Sequence, residues 1–110
     1  MSHPRWKLIR DWKLLESPTG SPEADAARLE GIIAFELGRA VHERRTALGV
    51  SQAELARSAD MTQPQISKLE LGDTVPTLPL LSRLAKALDA SLHITLNGDG
   101  ATITCTPHAA

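Results

Sequence analysis

Ser51-Gln-Ala-Glu-Leu-Ala-Arg-Ser-Ala-Asp-Met-Thr-Gln-Pro-Gln-Ile-Ser-Lys-Leu-Glu-Leu-Gly72 carries two helix-start signals eleven residues apart. In Ser51-x-x-Glu54, and again in Thr62-x-x-Gln65, a hydroxyl can accept from the amide three residues on while that residue's side chain reaches back, which is a capping box. The first helix is expected over about residues 52–59 and the second over about 63–71, with Gly72 free to take the left-handed conformation that closes a helix. Only Asp60 and Met61 remain for the turn. Leu55, Ala56 and Ala59 form one apolar stripe at helical spacing, and Ile66 and Leu69 form another, so each helix has one face to bury. Two short helices set back to back are the outline of a helix-turn-helix.

Upstream, Leu29, Ile32, Ile33, Leu37, Ala40, Val41, Arg44 and Leu48 keep helical spacing as far as Gly49. Residues 22–48 therefore read as one long helix, or as two pieces, since Gly31 and Gly38 each cost up to about 1 kcal/mol inside a helix. Ser21 is placed to cap it, Pro22 fits its first turn, and Glu23 and Asp25 complement its positive end. Its acidic outer face reads as a solvated surface, with Phe35 and the apolar excess open to a partner. Before it, Ser17-Pro-Thr-Gly-Ser-Pro22 reads as a linker behind a basic segment, residues 5–16, that holds Trp6 and Trp12. Downstream, residues 91–96 alternate apolar with polar, Asn97-Gly-Asp-Gly100 supplies turn chemistry, and residues 101–106 alternate again, the pattern of a β-hairpin. A lone hairpin would expose Leu92, Ile94, Leu96 and Ile103. These are taken as homodimer contacts, the alternative being a hairpin folded onto its own helices.

Composition bounds the function. A chain of 110 residues with 42% apolar content supports one modest core. No apolar run reaches the length of a membrane span, and the N-terminus lacks the apolar centre of a signal peptide, so a cytoplasmic protein is expected. Cys105 is the single cysteine, and His3, His42, His93 and His108 lack metal-ligand spacing, so no metal site is expected. No nucleophile with a paired base, phosphate-cradling glycine loop or catalytic carboxylate pair is present, which argues against an enzyme and against a cofactor. The formal net charge of −1 is low for a nucleic-acid binder. It is unevenly spread, however: residues 39–88 hold seven basic and five acidic side chains, residues 21–38 one basic and four acidic. DNA affinity would then rest partly on backbone amides, polar side chains and dimerisation.

The stretch from about Gly38 to Leu88, roughly half of the chain, resembles the lambda-repressor-like (Cro-type, XRE) DNA-binding domain. The resemblance rests on Arg45-Thr-Ala-Leu-Gly-Val-Ser-Gln-Ala-Glu-Leu-Ala56, on Gln63-Pro-Gln-Ile-Ser-Lys-Leu-Glu70, and on Thr77-Leu-Pro-Leu-Leu-Ser-Arg-Leu-Ala-Lys-Ala-Leu88, in order and at the family's separations. It implies an all-α helix-turn-helix bundle of about five helices, here with a C-terminal β-hairpin. The expected divisions are a Trp-containing segment and linker (1–20), a helical extension (21–37), the DNA-binding domain (38–90), and the hairpin and tail (91–110).

By the same resemblance the second helix of the motif enters the major groove of operator DNA, N-terminal end first. Thr62, Gln63, Pro64 and Lys68 would read base edges: Gln63 an adenine, Lys68 a guanine, the Pro64 ring a thymine methyl. Gln52 would donate to a phosphate at the positive end of its helix, with Arg44, Thr74 and Thr77 as lesser phosphate contacts. Ser67 and Gln65 also lie within reach of DNA, although the capping box claims Gln65. Arg45 and Glu70 match a family ion pair that ties the first helix to the recognition helix. The family's commoner glycine is replaced at the turn by Asp60, which tolerates left-handed geometry, and Leu71 stands where a polar residue is common.

Among members of this fold, the long first helix and the ending Leu84-Ala-Lys-Ala-Leu-Asp-Ala-Ser-Leu-His-Ile-Thr-Leu96 most resemble antitoxins paired with RelE- or HigB-like RNase toxins. That implies an autoregulating repressor with a cognate RNase toxin, for which Trp6, Ile9 and Trp12 are candidate anchors. Those tryptophans serve equally well as cover for the protein's own core. A stand-alone regulator and an interaction module without DNA affinity are the other readings.

Overall fold

The computed structural model describes residues 22–98 and 100–108. The segment with Trp6, Ile9 and Trp12, the linker and the Ser21 cap lie outside the described residues. In chain order the elements are α1 (Pro22–Leu48), α2 (Gln52–Ala59), α3 (Gln63–Glu70), α4 (Leu78–Ala87), β1 (Ala90–Asn97) and β2 (Gly100–Pro107).

The expectation of about five helices is corrected to four among the described residues, because the extension and the first helix of the motif are one unbroken 27-residue helix. Neither glycine interrupts it. Gly31 has open space around it, whereas Gly38 is where α1 meets the end of α3: a Cβ there would lie 2.7 Å from the Leu69 carbonyl oxygen and 3.0 Å from that of Glu70. The helix stops at Gly49, which takes a φ of 73°.

Both capping boxes form. The Ser51 hydroxyl accepts from the Glu54 amide at 3.0 Å while Ser51 N donates to Glu54 Oε1 at 3.0 Å. Thr62 and Gln65 repeat the exchange at 3.2 and 2.8 Å. Between the two helices Asp60 takes the left-handed conformation, φ 55° and ψ 50°, and its amide turns back to the end of α2. A carboxamide-sized polar side chain pays little for that geometry compared with a branched one. Helix α3 ends at Glu70, with Leu71 as its cap and Gly72 at φ 82°. Thr77 caps α4, whose Leu84 is fully buried.

Leu37 and Val41 from α1, Leu55 from α2, Ile66 and Leu69 from α3, Leu84 and Leu88 at α4, and Ile103 from β2 share one core. The hairpin is antiparallel, pairing Ile94 with Ile103 and Leu96 with Ala101. It folds onto its own helices, with β2 along α1 and β1 beside α4. Ile103 is therefore spent inside this chain and Leu92 packs against the same core, which removes Ile103 from the expected dimer contacts. Ile94 and Leu96 overhang, 41% and 61% exposed.

The two helix glycines should respond oppositely to alanine. Gly31→Ala adds helix propensity in open space and should raise stability by about 0.5–1 kcal/mol, whereas Gly38→Ala forces α1 off α3 and should lower it by about 2 kcal/mol. Urea denaturation of the two variants measures both.

Candidate nucleic-acid interface

An eight-residue helix is too short to hold its own direction in water, so the placement of α3 depends on what grips it. Its inner face does so through Ile66 and Leu69, fully buried in the shared core. At its end the Glu70 side chain is only 4% exposed. Arg45, in the last turn of α1, donates from Nε to Glu70 Oε2 at 2.5 Å and from Nη2 to Oε1 at 3.0 Å, a two-pronged contact. A third nitrogen of the same guanidinium, Nη1, donates to the Val50 carbonyl at 2.9 Å and so holds the approach to α2.

The carboxylate has two further partners. His42 Nδ1 lies 2.9 Å from Oε1, and Gln52 Nε2 donates to the same oxygen at 3.3 Å. Burial pushes the Glu70 carboxyl upward, but the hydrogen bonds from Arg45 and His42, the Arg45 charge and the Gln52 amide outweigh it and hold it below its ordinary value. Glu70 is thus ionised and acceptor-only at neutral pH.

That fact orients the next groups. Gln52 must turn its NH2 toward Glu70, which leaves its Oε1 to accept from Gln63 Nε2 at 2.8 Å. Gln63 in turn is left with its own Oε1 and one N–H unengaged in this relay. One acceptor beside one donor is the pattern that complements an adenine edge in the major groove.

Around that amide the exposed side of α3 carries Thr62, Pro64 and Lys68, with Ser67 half-buried beside them. Gln65 is exposed but engaged in its capping box. Gln52, half-buried, sits at the start of α2 next to Gln63, so the N-terminal ends of α2 and α3 converge through their two amides. Thr74 is exposed in the connection to α4, and the Thr77 hydroxyl accepts from the Leu80 amide at 3.4 Å as a cap.

Arg44 lies elsewhere. Its Nε and Nη2 donate to the carbonyls of Leu88 and Asp89, at 2.9 and 3.2 Å, so its guanidinium closes the end of α4 rather than facing α3. Two contributors escaped sequence reasoning. His42 is one helical turn before Arg45 on α1, and that i, i+3 spacing was the available signal. Arg83 donates to the Ala59 and Asp60 carbonyls, at 3.0 and 3.2 Å, closing the end of α2 and backing the left-handed turn. Nothing local to α4 announces it.

Among the described residues no group of three or more His, Cys, Asp or Glu is arranged to hold a metal ion, and no helix is long and apolar enough to cross a membrane. Residues 41–94 match the helix-turn-helix family model, a stretch running from within α1 to within β1. The family is one of DNA-binding regulators, generally without enzymatic activity. No curated protein matches the chain.

Removing one member of the buried pair should cost more than removing both. Arg45→Met leaves a desolvated carboxylate and should lower stability by about 3 kcal/mol, much of it recovered in Arg45→Met/Glu70→Leu. The folded-state value of Glu70 is depressed, so its contribution is complete above the ordinary 4.5 and drains as pH falls through the lowered value. Acid denaturation curves should show this limb flattened in Glu70→Gln.

Proposed function

We propose that the chain is a sequence-specific transcriptional repressor that docks α3 in the major groove of operator DNA. The observation that carries the reading is the exposed row of Thr62, Gln63, Pro64 and Lys68 on a helix anchored at its far end by a buried ion pair. In this reading Gln63 takes an adenine edge, Lys68 donates to a guanine, and the Pro64 ring meets a thymine methyl. Gln52 uses its remaining N–H on a phosphate at the converging helix starts. Thr74 flanks the site as a further phosphate contact. With few lysines and arginines facing DNA, uncharged donors supply much of the grip and binding should show a shallow salt dependence.

The operator-bound form is a homodimer. Ile94 and Leu96, left exposed on the face that β2 buries, support a contact between copies at β1. The finer role is that of an autoregulating antitoxin to a RelE- or HigB-like RNase, supported by the sequence resemblance of residues 84–96. Co-expression with the product of the adjacent gene tests it: neutralised toxicity supports the antitoxin, whereas operator binding without such a neighbour makes the chain a stand-alone regulator.

Fluorescence anisotropy separates reading from holding. Duplexes selected by the wild-type chain from a random pool, set against scrambled ones across a salt series, should show selective binding at physiological salt. Gln63→Ala and Lys68→Ala should each relax discrimination at one base position by about 1–3 kcal/mol, and Gln52→Ala should weaken selected and scrambled duplexes both. Equal binding to selected and scrambled duplexes by the wild type would overturn the repressor reading.

A further inference from the structure

His42 stands outside the row of residues that face DNA, yet it shares an oxygen with the relay that orients Gln63. Because Glu70 only accepts, the 2.9 Å contact fixes the imidazole proton on Nδ1. The 3.5 Å approach of Arg45 Nη2 to that nitrogen is then a packing contact, since Nδ1 has no lone pair to offer a second donor. Three donors converge on Glu70 Oε1: His42 Nδ1 at 2.9 Å, Arg45 Nη2 at 3.0 Å and Gln52 Nε2 at 3.3 Å. The two shorter contacts occupy most of what one carboxylate oxygen can offer, which leaves Gln52 the loosest of the three.

We propose that His42 is a positioning residue for base reading: by occupying Glu70 Oε1 it keeps Gln52 loosely held, and so leaves Gln63 extended toward DNA. The proposal rests on the DNA-binding reading above. Without the imidazole donor, Oε1 draws Gln52 inward to a full-strength hydrogen bond, and Gln63, tied to Gln52 Oε1 at 2.8 Å, follows it away from the groove. No fixed charge changes in the process, and any shift of the Gln52 phosphate contact acts alike on every duplex. The loss of base reading is therefore seen in the ratio of selected to scrambled affinity, from which a uniform loss at the Gln52 phosphate contact cancels.

The test compares the full chain with His42→Leu, which fills space without a donor, and His42→Asn, whose amide nitrogen stands close to the place of Nδ1. Three quantities are read: thermal stability, the ratio of selected to scrambled duplex affinity, and the side-chain amide resonances of Gln52 and Gln63 in the free protein. His42→Leu should shift both amides and lower the affinity ratio about tenfold, beyond any loss common to both duplexes. His42→Asn should restore the ratio to within about twofold, and His42→Leu should have no further effect on it in a Gln52→Ala background. Should His42→Leu fail to fold, His42→Gln, which displaces the donor, replaces it.

A loss of thermal stability with unmoved amides and an unchanged ratio would overturn the proposal and leave His42 as a brace for Glu70. Failure of His42→Asn to rescue would do the same. Absence of discrimination in the wild type would instead defeat the DNA-binding reading, and the amide resonances would still decide whether His42 sets the relay.

Discussion

The Glu70 carboxylate is the point on which the rest of the structure turns. It belongs to the last residue of α3, is almost wholly removed from water, and takes donors from two other helices: Arg45 and His42 on α1 and Gln52 on α2. A buried charge without such donors would be strongly destabilising. With them it becomes a three-way tie, and the tie is possible only because the backbones come close. Gly38 allows that approach, since α1 meets the Leu69 and Glu70 carbonyls at the distance where any side chain would intrude. A missing Cβ at one end of the contact thus sets the reach of the ion pair at the other.

The same carboxylate has a chemical polarity that passes outward. An acceptor at Glu70 dictates a donor from Gln52, hence an acceptor toward Gln63, hence a donor from Gln63. The direction of two amides, ordinarily ambiguous, is settled by one ionised group in the interior. Because the group stays ionised well into the acidic range, the relay keeps its sense at physiological pH.

What the sequence made legible follows from how local each determinant is. Both capping boxes span four residues and both formed as read; α2 occupies the expected residues and α3 stops one short of its expected end. The helix count failed at Gly31 and Gly38 because a linear reading prices a glycine by its propensity alone. The tolerance of Gly38 comes from α3, more than thirty positions away. Arg45 and Glu70 were visible through family resemblance and not through spacing, since 25 residues separate them. His42 and Arg83 act on partners 28 and 24 residues distant and read in sequence as ordinary charged or polar positions on helices. Ile103 was correctly read as an apolar strand position, but alternation gives the face of a strand and not the chain that covers it.

The hairpin completes the argument about what this fold leaves unfinished. Cross-strand partners lie on one face, so Ile94 shares a face with Ile103 and Leu96 with Ala101. Yet only the β2 members are buried, because α1 underlies that strand and not its neighbour. The consequence is an apolar strip of Ile94 and Leu96 along β1, on the face it shares with β2 but beyond the cover of α1. A second copy would bring the same strip and the same open strand, so their contact would be self-complementary under a two-fold axis. Such an axis would also hold two copies of α3 at a fixed separation, and in the DNA-binding reading proposed above two modest contacts held in register would multiply rather than add.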